Sequence, residues 1–183
     1  HHDVRHGTGV CTYANGDKYE GDFADDVRCD ILEGAVAKQK CLNGDFHNGN
    51  WKGDLRSGAG NSRYANGDEY EGEWDGDVRC GEGKCTYANG DVYVGTWKDD
   101  VRWGKGTDTY VCGDTFVGDW VADLRSGQGV QDYANGDRHE GAWDRDMRNG
   151  EGDQVFANGD HYVGCFLDNN RSGAGKIDFD AHS

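Results

Sequence analysis

The chain has 183 residues, 31 of them glycine and none proline, with 34% hydrophobic content and a formal net charge of −16. So little apolar material argues against a thick core. The acid excess argues against nucleic acid and anionic membrane surfaces, both of which need a basic footprint, and no run is long or apolar enough for a membrane span or a signal peptide.

In chain order, His1 and His2 carry no weight, and the chain opens inside a unit at Arg5-His-Gly-Thr-Gly9, as a piece of a longer array would. The first turn, Tyr13-Ala-Asn-Gly-Asp17, leads into Tyr19-Glu-Gly-Asp-Phe23. After Arg28 the pattern breaks. Residues 29–42 lack Gly-x-Gly and insert five residues before Leu42-Asn-Gly-Asp45, which predicts a bulge or bend. From His47 to Phe166 one slot recurs every 23 residues: His47/Gly49/Trp51, Tyr70/Gly72/Trp74, Tyr93/Gly95/Trp97, Phe116/Gly118/Trp120, His139/Gly141/Trp143 and Tyr162/Gly164/Phe166. Repeats of this length are supersecondary units that share a core with their copies.

Each unit contains its own hairpin signal. Tyr87-Ala-Asn-Gly-Asp91 predicts a three-residue loop with Gly90 in the left-handed region. The register then sets Cys85 opposite Tyr93, Gly83 opposite Gly95 and Gly81 opposite Trp97, all on one face. Carried across a loop from Lys98 to Trp103, it sets Trp97 beside Gly104 and Gly95 beside Gly106. The face then bears rows of Gly and Trp, Gly alone, and Tyr. Strand glycines mark a close approach to the backbone, and the expected visitor is the indole. A single sheet buries aromatic area this way without a second layer.

Arg-x-Gly-x-Gly, Tyr-Ala-Asn-Gly-Asp and Tyr-x-Gly-x-Trp in sequence resemble the MORN (membrane occupation and recognition nexus) repeat, over almost the whole chain. The His that usually precedes Gly-x-Gly in that family is present only at His6; elsewhere the slot holds Cys29, Ser57, Cys80, Trp103, Ser126, Asn149 and Ser172. The resemblance implies an all-β fold, an elongated, single-layer, twisted antiparallel sheet of hairpins. It spans residues 1–183 as one array of about seven to eight units, irregular at 29–42. It further implies a scaffold that binds other proteins, cytoskeletal or cortical. The alternatives are a phospholipid module, holding single lipids in the aromatic groove, and an extracellular glycan or choline-binding repeat. The expected binding face comprises Trp51, Trp74, Trp97, Trp120, Trp143, Phe166, Tyr70, Tyr93, Tyr162, Gly72, Gly95 and Gly118.

The remaining motifs are weighed against plain structural roles. The repeated Asp-(Val/Leu/Met)-Arg invites phosphate, but pairing of each Arg with the adjacent Asp and loop carbonyls is the better reading. The turn aspartates are too sparse for calcium and are read as satisfied turn residues. No nucleophile elbow, P-loop or zinc-protease helix is present, so no catalytic residue is assigned. His161 and Cys165 lie roughly 13 Å apart along a strand, so no single chain joins them on one metal; a zinc site at a two-fold dimer interface stays open. Seven cysteines without framework spacing read as free thiols of the cytoplasm. The strand Gly173-Ala-Gly-Lys-Ile-Asp-Phe179 ends without a partner hairpin, which predicts a homodimer through Ile177, Phe179 and Phe166.

Overall fold

The structure, a computed structural model, describes residues 4–29 and 36–179, and these hold sixteen strands and no helix. They fall into two compact units, His1–Ala88 with Trp97–Asp100, and Asn89–Thr96 with Val101–Ser183. The first contains β1 (Gly7–Thr12), β2 (Lys18–Ala24), β3 (Val27–Cys29), β4 (Ala37–Lys40), β5 (Phe46–Lys52), β6 (Leu55–Arg63), β7 (Glu69–Asp75) and β8 (Val78–Thr86). β9 (Val92–Lys98) contributes to both. The second continues with β10 (Val101–Thr109), β11 (Thr115–Val121), β12 (Leu124–Asp132), β13 (Arg138–Asp144), β14 (Met147–Val155), β15 (His161–Leu167) and β16 (Asn170–Asp178). Within each unit the strands form an open antiparallel sheet of consecutive hairpins.

The Asn-Gly hairpins have the expected register. Gly58 lies opposite Trp74, Gly60 opposite Gly72 and Ser62 opposite Tyr70, and the same pattern pairs Gly104 with Trp120 and Gly106 with Gly118. Each turn closes through paired backbone bonds, such as Tyr64 N–H to Asp68 O at 2.8 Å and Gly67 N–H to Tyr64 O at 2.9 Å. Gly67 has φ +96.

The second connection differs from the expected six-residue loop. β11 and β12 run on to Val121 opposite Leu124, leaving Ala122 and Asp123 as a two-residue turn with φ 50 and 68. Two consecutive positive φ values make the mirror-image turn whose twist matches that of the strands. The spare residues form a bulge: Gly118 pairs with Gly129 and Trp120 with Arg125, so residues 126–128 face Asp119 alone. Gly127 takes φ +85 there, and Gln128 N–H donates to Asp119 Oδ2 at 3.0 Å. Tryptophan therefore stands beside arginine rather than glycine on this side, as Trp51, Trp74 and Trp143 also show.

The irregular stretch sits at this bulge. β3 and β4 both pair with β2, Cys29 opposite Asp22 and Lys38 opposite Glu20, with Ala37 in a Gly-row slot opposite Gly49. The expected bulge or bend falls largely on 30–35, outside the described residues.

Candidate functional site

Aromatic rings floor one face of each unit. In the first they alternate edge to face through Tyr19, Trp51, His47, Trp74, Tyr70 and Trp97. In the second they run Tyr93, Trp120, Phe116, Trp143, His139, Phe166, Tyr162. Centroids lie 4.8–5.5 Å apart, the separation at which edge-to-face pairs attract. Of the ring residues named for the binding face, none is more than 5% exposed. They are the core.

The ring over the glycine row is the Tyr-slot ring, not the indole. A Cβ on Gly72 would stand 2.7 Å from Tyr70 Cζ and 2.7 Å from Gly83 Cα; one on Gly118 would stand 2.6 Å from both Phe116 Cζ and Gly129 Cα. Gly95 is equally closed, 2.5 Å from Gly106 Cα and 2.7 Å from the Tyr93 hydroxyl. The phenols donate three residues along their own strand, Tyr70 to Glu73 O at 3.1 Å and Tyr162 to Cys165 O at 3.0 Å. Trp74 and Trp143 instead reach this same row by their edges, each donating to the glycine opposite the one in its own slot, Trp74 Nε1–H to Gly60 O at 3.3 Å and Trp143 Nε1–H to Gly129 O at 3.2 Å.

Arginines close the ladder from above. The Arg56 guanidinium lies 3.9 Å over Trp74, Arg79 4.2 Å over Trp97, Arg102 4.1 Å over Trp120 and Arg125 4.5 Å over Trp143. Their acid partner is not the adjacent Asp of the same turn but that of the following repeat. Arg56 Nε donates to Asp77 Oδ1 at 2.9 Å while its Nη2 donates to Asp77 O at 2.9 Å; Arg125 holds Asp146 likewise. A third contact reaches six residues along the strand, to Gln131 from Arg125 at 2.9 Å and to Asp108 from Arg102 at 2.6 Å. Asp108 is buried, which raises its pKa against the pull of Arg102, and beside it the Tyr110 phenol is pushed up to about 12 by burial and then by that carboxylate. This clamp was invisible in the sequence, because its partners lie 21 residues apart.

Outside the arginines runs a row of half-buried rings, Tyr64 in the first unit, Tyr110 and Tyr133 in the second. The turn aspartates stand beyond them. Asp68 Oδ1 accepts from Ala88 N–H of the next turn at 2.8 Å and Oδ2 from Asn66 Nδ2 at 2.8 Å, so these are satisfied turn residues. In the first unit Tyr64, Arg56, Arg79, Asp45 and Asp68 line an open groove of ≈ 610 Å³. In the second a groove of ≈ 530 Å³ is lined by Tyr110, Tyr133, Arg125, Arg148 and Asp114.

The other expected residues lie apart. Ile177 pairs with Tyr162 and is 43% exposed, Phe179 is 75% exposed, and Phe166 is within the ladder. His161 Nε2 is 2.5 Å from Asp153 Oδ1, and Cys165 lies opposite Glu151. No three metal-ligating side chains gather among the described residues. All seven cysteines are free thiols. No helix among the described residues is long and apolar enough to cross a membrane.

A ladder of hairpins with this repeated Tyr-x-Gly-x-Trp core defines a family. The model of the MORN repeat matches residues 1–18, 44–69, 70–92, 93–114, 116–138, 139–161 and 162–181, and the chain belongs to that family. Among curated proteins none matches. Of solved structures, the TCP domain of SAS-4 (dCPAP) of Drosophila melanogaster, in complex with a proline-rich motif of Ana2 (dSTIL), is 17% identical, with 93% of this chain and 88% of that chain covered and a TM-score of 0.47. The TCP10 domain of Danio rerio CPAP, in complex with a peptide of Danio rerio STIL, is 15% identical over 85% of this chain and 82% of that one, with a TM-score of 0.35.

Proposed function

We propose that this MORN-repeat chain is a non-enzymatic scaffold that binds other proteins along the grooved aromatic face. The observation that carries this reading is the groove itself. With the indoles and the Tyr-slot rings consumed as core, the same face still presents half-buried tyrosines, arginines and aspartates at a fixed repeat. The buried named residues then act as the floor that positions these groups, and partners meet Tyr64, Tyr110 and Tyr133 above it. The setting is cytoplasmic and cytoskeletal or cortical, as membership of the family and the seven free thiols favour.

Self-association belongs to the same reading. Among the described residues β16 pairs on one side only, with Ile177 and Phe179 exposed beside that edge. A second copy related by a two-fold axis would cover both.

Proximity labelling in the native cell tests the scaffold. The intact chain is expected to mark a defined set of protein neighbours, and Tyr110→Ser/Tyr133→Ser to lose them. An unchanged neighbour set from a variant that melts like its parent overturns the reading.

A further inference from the structure

The grooves of the two units are built alike, but only the first is internally paired. Its turn acids Asp45 and Asp68 accept on Oδ2 from Asn43 and Asn66 Nδ2 at 2.9 and 2.8 Å. Its arginines hold the other two acids, Arg56 with Asp77 at 2.9 Å and Arg79 with Asp100 at 3.0 Å. The second groove also matches acids to arginines in number, and one of each forms a pair, Arg125 with Asp146 at 2.9 Å. Two departures from the repeat leave the remaining acid and arginine open. Cys112 stands where the other hairpins of this kind have Asn. Asp114 therefore takes Ala134 N–H on Oδ1 at 2.8 Å, while its Oδ2 accepts no hydrogen bond among the described residues. Asn169 stands where the other clamps have Asp. Arg148 donates from Nη2 to Asn169 O at 2.8 Å and from Nη1 to Gln154 Oε1 at 3.4 Å, but meets no carboxylate among the described residues and leaves Nε without an acceptor. Both groups are half-buried. Water solvates such a charge only in part, so a ligand bringing the opposite charge gains more here than at a pair already made.

The separation of the two charges selects what fits. β14, which holds Arg148, lies three strands from β11, which Asp114 precedes, so the two stand about 14 Å apart across the strands. An extended segment advances about 3.3 Å per residue and returns to one face at every second residue. Residues four apart therefore share a face at about 13 Å, while residues two and six apart span about 7 and 20 Å. A polyproline II segment repeats a face at about 9 and 19 Å and misses the span on both sides.

Resting on the protein-binding reading, we propose that the second unit's groove takes an extended segment of a partner protein that bears Lys or Arg and, four residues away in either chain direction, Asp or Glu. The cation sits on Asp114 Oδ2 and the carboxylate on Arg148. The residue midway between them faces the groove as well and meets the Tyr133 ring. The first groove, its lining charges already paired, does not select such a segment.

The test titrates the intact chain, up to millimolar concentration, with three labelled nine-residue peptides of one composition. Between identical Thr-Val flanks they carry Lys-Val-Tyr-Thr-Glu, its reverse Glu-Thr-Tyr-Val-Lys, and Lys-Val-Tyr-Glu-Thr, whose charges stand one residue closer. The proposal expects the better of the first two to bind about tenfold more tightly than the third at physiological salt. It expects that preference to vanish in Cys112→Asn/Asn169→Asp, which restores the donor to Asp114 and the carboxylate to Arg148. This variant completes the repeat, so a melting temperature at or above the parental one separates lost binding from lost fold. Equal affinities for the three peptides, no binding, or a preference that survives the double substitution overturns the proposal. If no peptide binds while Tyr110→Ser/Tyr133→Ser still strips the native neighbours, only the occupant is wrong and the groove reading stands.

Discussion

His139 occupies the slot that Phe116 fills one repeat earlier, fully buried, with neither ring nitrogen hydrogen-bonded. Burial first, and the nearby Arg148 second, depress its pKa to about 4. His47 is lowered to about 4 in the same way, with Nδ1 held by Ser62 at 2.8 Å. A histidine forced neutral by the fold takes up its proton more readily when unfolded. Stability is therefore full above about pH 6.5 and falls as the pH drops from there towards 4. His139→Phe is expected to remove one proton's worth of this slope, on the order of 2–3 kcal/mol between those limits, in denaturant melts across that range. An unchanged pH dependence would show that His139 is not held neutral. The glycines make a second prediction at this scale. Gly118→Val, whose first added atom meets Gly129 Cα at 2.6 Å, should cost about 3 kcal/mol or more, against under about 1 kcal/mol for Ala88→Val on an exposed turn. Thermal melts with equal effects at both sites would contradict it. The sequence showed that something covers the glycine row but not which ring. Tyr and Trp are both two residues from Gly in each slot, and only the side-chain direction distinguishes them.

The hairpin is the element, and its two turns differ in legibility. Asn-Gly announces the first, because Gly supplies the positive φ. The second was hidden because Ala122 and Arg145 adopt φ 50 without being glycine, while Gly53 and Gly76 stand at φ 60 and 59 in the corresponding turns. A non-glycine residue in that region is strained by about 1 kcal/mol. Ala122→Gly is therefore expected to stabilise the chain by about 0.5–1 kcal/mol, despite the usual entropic cost of glycine. A lower melting temperature would mean that the strain is not there. The clamp between neighbouring repeats has a natural control. Asn169 replaces Asp where Arg148 reaches, donating no charge yet accepting Arg148 N–H at 2.9 Å and Nη2 at 2.8 Å through its side chain and backbone oxygens. Asp146→Asn should accordingly cost less than about 1 kcal/mol, while Arg125→Ala, which also uncovers Trp143 and takes the donor from Gln131 Oε1, should cost about 2 kcal/mol. Similar losses for the two variants would show that charge, not stacking and shape, holds the repeats together.

For the molecule, the period alone carried the fold class, because one unit cannot bury its rings without its neighbour. The face that meets a partner was less legible. The most conspicuous residues, the five tryptophans of the repeated slot, are spent on the core, and the tyrosines of Tyr-Ala-Asn-Gly-Asp read as turn flanks. Self-association through β16 predicts a dimer of the intact chain in light scattering and a monomer for Ile177→Lys/Phe179→Lys; a monomeric parent would rule it out. The most direct test of the groove compares the two faces of the sheet. A photo-crosslinking amino acid is placed in the native cell at Tyr133, in the groove, or at Val117, half-exposed on the opposite face. The account predicts that a protein partner is captured from position 133 and not from 117. Capture from 117 alone, or equally from both, would contradict it.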